Sequence, residues 1–332
     1  MTNNDTCDNL STMTGGIEKA FDVERLPFRR QMTQEEIEKL QGAIKLAFSR
    51  DIDKKILEKI ADYCFYVERN IEGRASGSIE DLVLRYLSRY FSSLGMAADQ
   101  DNVCHLEIGV LFGATTILSC HAVQLAEKKA GIVVIDPFKG YYDNEVDPLT
   151  KLPVTEDRFR ANLARFSFDD ANVAVYRGLS TDREIIEKCG KYRILSLVID
   201  GDHSYEGVKK DWINYSGLVV EGGYVLIDDY NCRYWPEVTR FVNGEILSHF
   251  ADNWEPVLVF GNTIILKRLK SGGAENNRLE ELVYKLKDAE RIIESRNREI
   301  EYKSREIENI LNSISWKITK PLRWLRDKYR SL

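Results

Sequence analysis

The sequence lacks the features that mark several large classes of protein. It has no run of about 18 apolar residues, so no membrane-spanning helix is expected. Its 6 cysteines (Cys7, Cys64, Cys104, Cys120, Cys189 and Cys232) include no C-x-x-C pair. They read as free thiols in a reducing compartment, forming neither a zinc site nor a disulfide framework. With 47 Lys and Arg against 53 Asp and Glu, the net charge is −6, and the basic excess of a general nucleic-acid binder is missing. The opening Met-Thr-Asn-Asn-Asp-Thr has no charged-then-apolar leader pattern. The expected location is the cytoplasm.

The 332 residues, 43% of them hydrophobic, suit a globular chain with extensions. Residues 1–16 are polar and read as disordered. Residues 17–99 read as a helical N-terminal region, a lid over a substrate or an oligomerisation element. Within it, Thr33-Gln-Glu-Glu36 is a capping box whose hydroxyl and carboxylate satisfy the first free N–H groups. Ile37, Leu40, Ile44, Leu46 and Phe48 then mark an apolar face. Ser78 caps a further helix carrying Leu82, Leu84, Leu87, Tyr90 and Phe91, and Gly95 is its stop.

From 100 to 270 the pattern alternates. Apolar strands are expected at 103–109, 131–136, 172–177, 194–200, 223–229, 256–260 and 263–268, with amphipathic helices at 114–129, 156–166, 181–189, 205–219 and 236–249. Near-continuous apolar strands between helices predict a parallel sheet covered on both faces. Only Gly261-Asn262 separates the last two strands, which makes them a hairpin with one antiparallel member. The fold class is therefore α/β, Rossmann-like: a seven-stranded, mostly parallel sheet with an antiparallel edge hairpin, N-terminal helices and a C-terminal coiled coil. The coiled coil is read over 276–314, where Leu279, Leu282, Leu286, Ala289, Ile293, Ile300, Ile307, Ile310 and Ile314 keep a 3.5-residue period broken only by Arg296 and Lys303. Homo-oligomerisation through this seam is expected. The last segment, 315–332, holds six bases and one acid around Ile318, Leu322, Leu325, Tyr329 and Leu332. It reads as a basic amphipathic tail suited to a membrane surface at the inner face or to docking on its own oligomer.

Three segments carry the chemistry. In His105-Leu-Glu-Ile-Gly-Val-Leu-Phe-Gly-Ala-Thr-Thr116 a strand runs into a glycine turn and a helix; glycine at such a turn lets backbone approach a ligand. A dinucleotide fingerprint would need a second glycine where Leu111 stands. The segments Ile199-Asp-Gly-Asp-His-Ser-Tyr205 and Val225-Leu-Ile-Asp-Asp-Tyr230 end neighbouring strands in Asp200, Asp228 and Asp229. Three carboxylates converging at the sheet edge where α/β ligands bind would repel one another, and a divalent cation with oxygen ligands would remove the conflict.

Together these segments resemble the class I S-adenosylmethionine (SAM) methyltransferases, in the metal-dependent branch that includes macrocin-type and catechol O-methyltransferases. The resemblance covers 100–270 and is closest over 194–230. It implies SAM as cofactor, held by Glu107, Gly109, Gly113, Asp136 (ribose), Ser180 (adenine side) and Asp200. It implies Mg²⁺ or another divalent cation at Asp200, Asp228 and Asp229, binding and acidifying the acceptor hydroxyl. The general base is expected to be His203 or Asp202. Structural readings stand beside these: a glycine turn made for strand–helix packing, and acids or Ser180 capping helices. The string Ser315-Trp-Lys-Ile-Thr-Lys-Pro-Leu-Arg323 also resembles a segment near the ends of bacterial enzymes that build surface polysaccharides.

The function expected is O-methylation of a sugar hydroxyl on a glycan, glycolipid or glycosylated metabolite. Two alternatives stay open: a phenol O-methyltransferase, and a scaffold with a degenerate core that recruits polysaccharide-assembly enzymes. Nucleic acid is not expected as a partner, since basic charge is confined to the tail.

Overall fold

The computed structural model describes residues 31–96, 101–140, 144–250 and 253–269. Three helices come first. Helix α1 (Gln34–Phe48) opens with the expected Thr33/Glu36 capping box and buries Ile37, Leu40, Ala43, Ile44, Ala47 and Phe48. Leu46, expected on that face, is 72% exposed, because two residues past Ile44 is the far side of a helix. Helix α2 (Lys54–Asn70) starts at Asp53, whose carboxylate accepts the N–H groups of Lys55 and Ile56. Helix α3 (Ile79–Leu94) starts with a second capping box, Ser78 with Asp81, and ends at Gly95.

Strands and helices then alternate: β1 (Val103–Ile108), α4 (Ala114–Leu125), β2 (Gly131–Asp136), α5 (Glu156–Arg165), β3 (Val173–Arg177), α6 (Arg183–Cys189), β4 (Arg193–Ile199), α7 (Tyr205–Tyr215), β5 (Val219–Ile227), α8 (Pro236–Phe241), β6 (Trp254–Phe260) and β7 (Thr263–Arg268). All seven expected strands are present. The segment expected as one helix over 236–249 is α8 followed by a π-turn at Val242–Ile246 and a last short turn.

The seven strands form one sheet in the order β3-β2-β1-β4-β5-β7-β6. Pairs from β3 through β5 are parallel, and β7 runs antiparallel to both β5 and β6. The hairpin turn carries Gly261 at φ +56. Strand side chains alternate between two cores, as the period of two requires. Ile132, Val134, Val198 and Leu226 face α1–α5, whereas Val133, Ile135, Leu197, Ile199 and Ile227 face α6–α8. Helices α1–α3 thus share a core with one face of the sheet, and α3 lies against α4, β4 and β5. Strand order reverses between β1 and β4, which places a crevice at their carboxyl ends.

No helix among the described residues is long and apolar enough to cross a membrane. The five described cysteines are free, four of them buried. The disordered segment 1–16, the coiled coil 276–314 and the basic tail 315–332 expected from the sequence lie outside the described residues.

Candidate active site

The glycine turn sits at the crevice. Gly109 (φ +83), Leu111 (φ +50) and Gly113 (φ +89) all adopt left-handed backbone. Asp136, at the end of β2, holds the turn: its Oδ2 accepts Val110 N–H at 2.9 Å and its Oδ1 accepts Phe138 N–H at 2.7 Å. The tightness of the turn is set by the chain itself. A Cβ on Gly109 would lie 2.0 Å from the Asp200 carbonyl oxygen, and one on Gly113 would lie 2.8 Å from the Phe159 ring. Gly109→Ala should therefore lower stability by about 2–3 kcal/mol, since it combines left-handed strain with overpacking against backbone; urea denaturation of the variant measures it.

Glu107 points below the turn and is 1% exposed. Its carboxylate accepts hydrogen bonds from the Thr115 and Thr116 hydroxyls and stands 4.0 Å from Arg85. Burial raises its pKa against the pull of Arg89, Thr115 and Arg85. Ser180 follows β3 at the same sheet edge, and its carbonyl accepts the Tyr215 hydroxyl. Asp182 begins α6 but turns its carboxylate back to Leu179 N–H.

The strand-end acids do converge, but around an arginine. Arg85, on α3 and 2% exposed, places Nη1 2.9 Å from Asp200 Oδ2 and Nη2 2.8 Å from Asp228 Oδ2. The other Asp228 oxygen, Oδ1, accepts the Thr263 hydroxyl of β7 at 3.0 Å. Burial would raise the pKa of Asp200, yet Arg85 and His203 hold it below the ordinary carboxylate value. Asp228, buried beside Asp200, is pushed up to about 7. Asp229, at φ +57, places its carboxylate beside His203.

His203 completes the cluster from the loop before α7. Its Nε2 lies 3.3 Å from Asp200 Oδ1 and its Nδ1 lies 3.3 Å from Asp229 Oδ2. Burial disfavours its charged form, but Asp200, with Asp229 and Asp228 behind it, raises its pKa overall. Trp235 packs on the imidazole with ring centroids 5.0 Å apart. Asp202 is exposed and faces α7: its Oδ1 accepts Ser204 N–H, and its carboxyl group fills the space over Gly207. Tyr205 donates to Glu245 at 2.8 Å. The remaining described histidines are engaged elsewhere or exposed: His105 lies between Ser93 and Ser196, His121 beside Tyr86 and Tyr63, and His249 at the surface.

Of the residues proposed from sequence, the structure brings Asp200, His203 and Asp229 together, with one ligand atom each within 4.8 Å of one another. Asp228 is drawn to Arg85 instead, and Asp202 to the α7 N-terminus. The charge conflict that called for a metal is thus met in large part by side chains. The three acids are not an open set of oxygen donors, because both oxygens of Asp228 and both of Asp200 are already engaged. The sequence reading missed Arg85, Thr263 and Arg89. The available signal was the polar stripe Asp81, Arg85, Ser88 and Arg89, at helical spacing inside a segment that is otherwise leucine-rich.

Residues 106–230 match the model of a family described as a methyltransferase domain. Over this segment the chain is similar to methyltransferase domains. The methyltransferase resemblance read from the sequence is borne out over that span. A curated relative, an uncharacterised protein of Acanthamoeba polyphaga mimivirus, is 26% identical over 194 residues, covering 58% of this chain and 77% of its own. Among solved structures, the O-methyltransferase NovP is similar at 18% identity and a TM-score of 0.46, covering 70% of this chain and 99% of that one. CalS11, a calicheamicin methyltransferase, is similar at 17% identity and a TM-score of 0.44, covering 74% and 97%. MycE from the mycinamycin biosynthetic pathway, solved with Mg and SAH, is similar at 15% identity and a TM-score of 0.41, covering 74% and 66%. The methyltransferase domain contains the turn, the strand-end acids and His203, while Arg85 enters from a helix that precedes it in sequence.

Proposed function

We propose that this chain is a SAM-dependent O-methyltransferase that acts on a sugar hydroxyl of a glycan, glycolipid or glycosylated metabolite. The observation that carries the reading is the placement of His203 and Asp200 beside the Gly109 turn, at the crevice where strand order reverses. Glu107, Gly109, Gly113, Asp136, Ser180 and Asp200 line that edge and are the residues proposed to hold SAM. Bound there, SAM supplies a methyl group already activated on a sulfonium. The protein's task is mainly alignment. The acceptor hydroxyl would have to lose its proton as it takes the methyl group, so the chain must place a base beside it. His203 is the proposed base, since the imidazolium it becomes is flanked by two carboxylates. To accept that proton it must give up one of its two partners, and Asp229, at 20% side-chain exposure, is the freer one. The sugar acceptor is supported by the polysaccharide-enzyme likeness of the 315–323 string, and oligomerisation by the heptad at 276–314.

A second reading keeps the divalent cation, on the observation that Asp200, His203 and Asp229 offer ligand atoms within 4.8 Å of one another. In that reading a magnesium ion bound there would supply acidification of the acceptor hydroxyl.

Asp200→Asn tests the site. Transfer of labelled methyl from SAM to a panel of glycolipids and sugar nucleotides should fall by at least about 100-fold. The SAM dissociation constant from calorimetry should rise by much less than transfer falls, since the other five residues proposed to hold SAM remain. Equal loss of both would remove Asp200 from the chemistry, and absence of SAM binding by the wild type would remove the function.

A further inference from the structure

Arg85 is mounted rigidly. Its helix is fixed at the start by the Ser78/Asp81 capping box, and the Asp81 carboxylate is within reach of Thr263, the same hydroxyl that binds Asp228. From this base the guanidinium spans the carboxyl ends of two adjacent strands, with one terminal nitrogen on Asp200 of β4 and the other on Asp228 of β5. Glu107 of β1 lies 4.0 Å away. A metal shared by Asp200 and Asp228 would need an oxygen of each at about 2.1 Å, and the guanidinium fills that gap. A guanidinium keeps its charge and does not make room by deprotonating. A divalent ion moved over to Asp200 and Asp229 would still face that fixed charge from close by, in a setting that screens it poorly. His203 already bridges this second place. Its two ring nitrogens serve Asp200 and Asp229 separately, and a single ion can take only one of them.

We propose that Arg85 is the resident cation of this site: it stands where the strand-end carboxylates would otherwise gather a divalent metal, and the methyl transfer proposed above proceeds without one. This rests on that proposed function for the reaction, but not for the cation. Arg85 acts through Asp200 and Asp228 and is a positioning residue.

The test is manganese binding to the metal-stripped full chain, read from loss of the free-ion signal in electron paramagnetic resonance. Wild-type protein should show no saturable binding below millimolar Mn²⁺, and its SAM affinity should be unchanged by EDTA. Arg85→Gln, which uncovers Asp200 and Asp228, should gain Mn²⁺ affinity by at least about tenfold, whereas Arg85→Lys, which keeps the charge, should not. A merely structural arginine predicts no gain on its removal. Stoichiometric micromolar binding by the wild type overturns the proposal, as does a folded Arg85→Gln protein that gains nothing. If Arg85→Gln does not fold, the wild-type titration decides alone. Failure of SAM to bind would sink the methyltransferase reading while leaving the manganese result to judge the cation.

Discussion

Arg85→Met should lower the stability of this protein by about 3–5 kcal/mol, among the largest losses available to a single substitution in it. The reason is what it leaves behind. Arg85 is 2% exposed and contacts Asp200 and Asp228, whose side chains are 8% and 6% exposed. Removing the guanidinium strands two carboxylates in a region from which water is nearly absent. They must then repel, take up protons, or open the structure to reach solvent. Arg85→Lys should lose distinctly less, because the charge survives although the two-pronged geometry does not. A double variant, Arg85→Met with Asp228→Asn, should recover part of the loss, since the second change removes one of the stranded charges. Urea denaturation at neutral pH measures all three. A loss for Arg85→Met below about 1 kcal/mol would mean that solvent reaches the cluster and that the pairing matters little. The same experiment bears on the metal: manganese should restabilise Arg85→Gln and leave the wild type unchanged.

The frame of the molecule was legible because its signals are local. Alternating apolar segments predict all seven strands, and the short Gly261-Asn262 connection predicts the antiparallel hairpin. Both helix caps stand where Thr33 and Ser78 place them. The convergence of Asp200 with Asp228 and Asp229 followed from strand ends at one edge of a parallel sheet. What was not legible is non-local. Arg85 is 115 residues from Asp200 in sequence, on a helix read through its leucines. Nothing in the strand motifs announces that a cation will arrive from another layer. With acids alone in view, a metal was the natural way to balance them. The glycine turn carries a similar lesson: the Asp200 carbonyl fills the space where a Cβ on Gly109 would stand, a contact from another strand that the turn motif does not announce. The helix over 236–249 kept its position but not its regularity, and the π-turn there has no signature in the apolar period.

Asp211→Asn should make the protein more stable at alkaline pH and remove a pH dependence that the wild type carries. Asp211 sits on α7, is 1% exposed, and neither carboxylate oxygen has a well-formed hydrogen-bond partner. Burial is the main cause that raises its pKa from 3.8 to about 7; the nearby Ser180 eases this, the Asp202 charge adds to it, and His203 opposes it. A carboxyl whose folded pKa lies above its unfolded value binds more protons in the folded state between the two values. Its contribution to stability is therefore fully present below about pH 4 and is lost as pH rises through about 7. Above that, the ionised group costs about 4 kcal/mol if the site stays dry. Asparagine keeps the shape without the charge. The variant should exceed the wild type by about 2–4 kcal/mol above pH 8, with the advantage shrinking steadily to little or none at about pH 4. Denaturation midpoints across that range test the idea, and parallel profiles for the two proteins would sink it. The position gives the effect a functional edge. Asp211 lies under Gly201 and beside Ser180, between the loop that follows β4 and the loop that follows β3. Both loops border the crevice proposed for SAM, so the expected loss of stability on ionisation of this one carboxyl falls next to the proposed cofactor edge.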